Sequence, residues 1–167
     1  MIIVSMLRAT IIVVVVLCAS VGALPFQDCG SQYRLISVDI PTCPTAPCTL
    51  TLGDRVNIST NFLADFKSST VSLDAYYVIS TIQIPVAVAY DPCSQSSCSV
   101  EQGETKQYGV SIDVENFLPP LDGDLVVQLF NENSRKIVCY ILTVRLRCKN
   151  NVCEDRNNVF PALMKRQ

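Results

Sequence analysis

The chain has 167 residues, 49% apolar and 17% charged, with a net charge of -2 and neither Trp nor His. That is the length of one domain and the composition of a chain that buries a core. Without histidine, Ser-His and Cys-His catalysis and every His-containing zinc site are excluded, and without a basic run there is no stripe to attract nucleic acid.

In chain order, Arg8 precedes an apolar run at 11–17 and then small residues ending Val21-Gly22-Ala23, the pattern of a signal peptide cleaved after Ala23. The uncharged stretch 9–21 falls short of the roughly 20 residues a spanning helix needs. Residues 1–23 are therefore expected to be removed, leaving a chain that starts at Leu24 in an oxidising compartment.

Beyond Ala23, hydrophobicity has period two. Ile36, Val38 and Ile40 alternate with Ser37 and Asp39, and Val56, Ile58, Thr60 and Phe62 alternate with Arg55, Asn57, Ser59 and Asn61. Both read as half-buried strands. Further strands are expected at 71–82, 84–90, 108–114, 125–130 and 137–146, with turn signals at Gly53-Asp54, Asp91-Pro92, Gly103, Pro119-Pro120 and Asp122-Gly123. No segment has a convincing helical repeat. Seven or so short strands at this spacing predict an all-β fold, an immunoglobulin-like sandwich of two antiparallel sheets, over 24–147. Past Leu146 the chain turns polar and asparagine-rich, so 148–167 reads as a tail.

Removing Cys18 with the signal leaves eight cysteines: Cys29, Cys43, Cys48, Cys93, Cys98, Cys139, Cys148 and Cys153. Eight allow about 105 pairings. Three pairs, Cys43/Cys48, Cys93/Cys98 and Cys148/Cys153, flank loop-like sequence; if these close locally, Cys29 and Cys139 remain for each other. A metal site is disfavoured by the missing histidine and by four-residue gaps where zinc sites use shorter ones. Asn57-Ile58-Ser59 is a glycosylation sequon, and alternation puts Asn57 on the polar face of its strand.

Enzyme motifs are missing: the sequence has no nucleophile elbow, phosphate-cradling glycine loop or dinucleotide fingerprint. The carboxylate pairs Asp113 with Glu115 and Asp122 with Asp124 read as a solvated acidic rim, and the chain is expected not to be an enzyme and to need no cofactor.

Asp28-Cys29-Gly30-Ser31, Cys43-Pro44-Thr45-Ala46-Pro47-Cys48, Gly53, the sequon at Asn57, Asp91 before Cys93, and Val138-Cys139-Tyr140 together resemble the lipid-recognition family known as ML, most closely its soluble sterol carriers. The likeness covers roughly 26–146. It implies a sandwich whose sheets are splayed around one apolar lipid, and disulfides joining Cys29 to Cys139, Cys43 to Cys48 and Cys93 to Cys98. It also implies a pocket with Ile84 and Val86 on one wall, Val114 on another, and Phe117 or Leu118 near the mouth. Two positions depart from the family: of its proline-rich pocket strand only Pro85 remains, and Tyr140 stands where the sterol carriers have Trp. A one-residue slip of the pocket strand would exchange wall and surface.

The expected ligand is a sterol or fatty-acyl lipid, held by a monomer and passed to a membrane acceptor or receptor. The expected location is extracellular, with the lysosomal lumen as a second destination. Hiding about 300 Å² of apolar surface would contribute roughly 7 to 8 kcal/mol before association costs. With few polar residues facing inward, selectivity is expected to come from shape. Two other functions fit the same features: a lipid-sensing accessory protein in innate immune recognition, and an immunoglobulin-like interaction module with a closed core.

Overall fold

The computed structural model describes residues 24–95 and 98–149; the expected signal peptide, Cys153 and most of the tail lie outside them. Ten strands follow in chain order: β1 (Gln27–Asp28), β2 (Arg34–Asp39), β3 (Cys48–Thr51), β4 (Arg55–Leu63), β5 (Val71–Ile79), β6 (Ile82–Pro85), β7 (Ala87–Tyr90), β8 (Thr105–Asp113), β9 (Asp122–Asn131) and β10 (Lys136–Arg147). One sheet has the order β1-β10-β9-β5-β6, with β3 following β1 along the same edge of β10; the other has the order β2-β4-β8-β7. Pairing is antiparallel except between β3 and β10.

The alternation in the sequence produces the sandwich directly. Val56, Ile58, Thr60 and Phe62 of β4 are buried while Arg55 and Asn57 are exposed, and the buried Tyr108, Val110 and Ile112 of β8 share their face. Opposite them stand Leu125, Val127 and Leu129 of β9 with Tyr140, Leu142 and Val144 of β10, all 5% exposed or less. Each such side chain, fully buried, contributes roughly 1.5 to 3 kcal/mol, and a one-residue slip would turn a whole face to water.

Three disulfides join Cys29 to Cys139, Cys43 to Cys48 and Cys93 to Cys98. Around the first, the Asp-Cys-Gly-Ser segment has a structural purpose. Asp28 Oδ1 accepts from the backbone N–H groups of Gly30 (2.7 Å) and Ser31 (2.9 Å), and Ser31 Oγ both donates to and accepts from the backbone of Cys139. Burial pushes the Asp28 carboxyl upward, but those N–H bonds win and hold it below its ordinary value. Cys148 is also disulfide-bonded.

Two departures from the expected strands have local causes. The span 71–82 is broken by a two-residue turn: Ile79 pairs with Ile82, and Ser80 adopts a φ of 57°, the positive value such a hairpin needs, without a Gly or Asn to announce it. The span 84–90 is divided between the sheets, with β6 in one and β7 in the other. The short strands β1 and β3 were not expected at all, since two and four residues are too few to show periodicity.

Candidate functional site

The divided span forms one edge of the sandwich. Ile84 of β6 pairs with Tyr77 of β5; Val86 donates its N–H to Ala75 O at 3.0 Å; and Val88 of β7 pairs with Ile112 of β8. Pairing with Tyr77 and Ile112, both buried, places Ile84 and Val88 on inner faces, with Val86 between them and only 8% exposed. Ile84 and Val86 thus face inward, and Pro85 lies on the outside.

Val88, although it faces inward, is 44% exposed. The cause is topological: β6 pairs only with residues 76–79 of β5, so the first half of β5 has no outer neighbour among the described residues. A cleft of about 670 Å³ opens there between the sheets, with Leu73 of β5 on one side and Val88, Ala89 and Tyr90 of β7, then Asp91 and Pro92, on the other. This volume lies within the range of about 300 to 1,000 Å³ typical of small-molecule sites.

The opposite ends of the sandwich differ. One is plugged by aromatic rings: Tyr33 lies 5.6 Å from Phe62 and 4.8 Å from Phe66, and its hydroxyl donates to Phe66 O at 2.7 Å. The other carries the 114–118 loop, where Val114 (1% exposed) and Leu118 (3%) are buried and Phe117 (37%) is not. Gly53 anchors this loop. It adopts a φ of 86°, its N–H donates to Val114 O at 2.6 Å, and a Cβ there would lie 2.5 Å from Asn116 Oδ1. Any other residue would be strained twice over.

Of the five residues expected in the pocket, Val86, Val114 and Leu118 belong to the apolar core, Ile84 packs against it, and Phe117 is on the surface. The sequence reading missed Leu73 and Val88, the pair that frames the cleft. Val88 carried the signal of alternation with Ile84 and Val86; Leu73 carried none that separated it from ordinary core.

The interior is also more polar than expected. Thr60 and Tyr140 share a hydrogen bond at 2.7 Å between the sheets, and Tyr108 donates to Asp91 Oδ1 at 2.5 Å. Burial raises the pKa of both tyrosines, and for Tyr108 the bond to Asp91 adds to it. Tyr77 is 1% exposed, and its hydroxyl has no partner among the described residues. Burial, aided by the Glu115 carboxylate, pushes its pKa up to about 12.

The acidic pairs behave as a charged rim. Arg55 binds Asp113 at 2.8 Å and Arg147 binds Asp122 at 2.9 Å, which holds both carboxyls below their ordinary value. A general acid requires the opposite shift. Asp124 accepts from Thr143 at 3.3 Å. Asn57 is exposed on the outer face of β4, its Oδ1 accepting from Ser111 Oγ at 2.6 Å.

The family model of the ML domain matches residues 23–146. The chain is 24% identical over 144 residues to NPC intracellular cholesterol transporter 2 of Mus musculus, with 84% of this chain and 97% of that protein covered. It is 23% identical over 124 residues to the Bos taurus protein of the same name, with 72% and 83% covered. Among solved structures, a Niemann-Pick type C2 protein from the Japanese carpenter ant superimposes with a TM-score of 0.64 at 22% identity, over 74% of this chain and 99% of that one, and so shares its fold. With the domain model matched along most of its length and the sandwich in place, the chain belongs to the ML domain family.

Proposed function

We propose that the protein is a secreted carrier that holds a sterol or other apolar lipid between its two sheets. The observation that carries this reading is the edge formed by β6 and β7. A row of inward aliphatics, Ile84, Val86 and Val88, runs along it, and at Val88 the sheets part into a cleft of about 670 Å³ facing Leu73. Val114 and Leu118, core residues outside the lining of that cleft, would become a second wall, with Phe117 at the rim, once a ligand parts the sheets further. Membership of the ML family supports the reading, as do relatives named as cholesterol transporters.

The lipid would complete a core that the fold leaves unfinished. An ordinary sandwich interdigitates its inner faces throughout; here the first half of β5 has no outer neighbour among the described residues, and apolar surface on Leu73 and Val88 lines a cleft open to an apolar guest. The disulfides suit an oxidising lumen, whether extracellular or lysosomal, reached by way of the leader at 1–23. The sugar at Asn57 and delivery to a membrane acceptor by a monomer complete the proposal. Titration of a fluorescent sterol into delipidated protein tests it: saturable binding with one site per chain is expected, and no binding of sterols, fatty acids or glycolipids would refute it.

A further inference from the structure

Building on the lipid-carrier reading, we infer that the Tyr77 hydroxyl determines specificity, donating a hydrogen bond to a neutral oxygen on the bound lipid. Tyr77 stands on the inner face of β5, in register with Leu125 of β9 on one side and Ile84 of β6 on the other. It therefore borders the first residue of the inward row that runs to the cleft.

The interior tyrosines make the contrast. Tyr33 donates to Phe66 O, Tyr108 to Asp91, and Tyr140 is bonded to Thr60. Only the hydroxyl of Tyr77 is both buried and without a partner among the described residues. Buried polar groups are almost always satisfied, and phenylalanine would fill this position without the cost of dehydrating a hydroxyl. A tyrosine here makes sense if its partner arrives with the ligand.

The surroundings narrow the chemistry of that partner. Glu115, on the loop whose Leu118 N–H donates to its backbone oxygen at 3.3 Å, acts electrostatically on Tyr77, and with burial it keeps the phenol protonated as a donor. The same carboxylate disfavours a second negative charge nearby. Buried between Leu125 and Ile84, the hydroxyl is met at far lower desolvation cost by an uncharged oxygen than by an anion, so the lipid is an apolar body with one neutral oxygen, as in a sterol alcohol.

The test compares wild type with Tyr77→Phe, using a fluorescent 3-hydroxysterol titrated directly and the matching sterane without the hydroxyl as competitor. Wild type is expected to prefer the hydroxysterol by about five- to tenfold, the worth of one neutral hydrogen bond. Tyr77→Phe is expected to bind both sterols alike, with unchanged sterane affinity and a melting temperature no lower than wild type. A variant that keeps the full preference, or a wild type that shows none, would overturn the assignment; the wild-type comparison stands whether or not the variant folds. Failure of wild type to bind either sterol would overturn this assignment, and the carrier reading would fall with it only if fatty acids and glycolipids also failed to bind.

Discussion

Thr60 on β4 and Tyr140 on β10 are joined hydroxyl to hydroxyl at 2.7 Å across the interior, tying the two sheets together from within. Both residues are at most 1% exposed. Tyr140→Phe strands the Thr60 hydroxyl and is expected to cost about 1 to 2 kcal/mol in denaturant unfolding. The double variant Thr60→Val with Tyr140→Phe removes both partners and should recover to within about 1 kcal/mol of wild type. Additive losses would mean that the bond is not what couples the two positions.

The link between Cys29 and Cys139 spans 110 residues and fastens the segment after β1 to β10. Replacing both with Ser is expected to cost roughly 4 to 5 kcal/mol on the chain-entropy account of cross-links. Replacing Cys93 and Cys98, five residues apart, should cost less. Thermal unfolding of the two variants under non-reducing conditions gives the comparison.

The cleft at Val88 can be filled from outside the core. Val88→Trp adds bulk where the side chain is already 44% exposed, so stability should change by no more than about 0.5 kcal/mol. Sterol affinity should fall more than tenfold. Unchanged affinity would remove this edge from the lipid path.

Stability should be level across the acidic and neutral range, because the chain has no histidine to titrate there. Asp28, Asp113 and Asp122 have pKa values lowered below 3.8 in the folded protein, so their stabilisation is present above that pH and lost as pH falls through the folded values. Tyr77, Tyr108 and Tyr140 are raised above 10.0; their contribution is complete below pH 10 and declines above it. Melting temperatures between pH 3 and pH 11 should trace a plateau falling at both ends. A step near pH 6.5 would contradict this account.

Asn57 stands exposed on the outer face of β4, within its Asn-Ile-Ser sequon. Protein secreted from eukaryotic cells is expected to lose mass on glycosidase treatment, and Asn57→Gln should abolish that loss. A wild-type product whose mass does not change would rule out the sugar.

What the sequence made legible was whatever repeats. Alternation in 55–62 and 108–114 gave β4 and β8 with the correct faces, and the cysteine spacing agreed with the three disulfides observed. What it concealed depends on pairing between distant segments. Nothing around Leu73 tells a reader that β6 stops short and leaves the start of β5 without an outer neighbour among the described residues, and Tyr77 looks like any inward aromatic until its hydroxyl proves to have no partner among them. Ser80 hid a turn because serine rarely adopts the positive φ it has there.

The passage of the chain at Val86 sets how the sandwich can gape. Val86 is pinned to Ala75 of one sheet while the next residue, Ala87, already pairs with Asp113 of the other. The two leaves are thus bound at that point as a book is bound at its spine, with a single residue for the stitching. The chain crosses in the same way where Tyr33 bonds to Ile137 and Arg34 pairs with Leu63, so the leaves are held at both places and can part beside the Val86 stitch, as a wedge towards Leu73 and Val88. A thin, rigid plate slides into such a wedge more readily than a bulky or branched molecule.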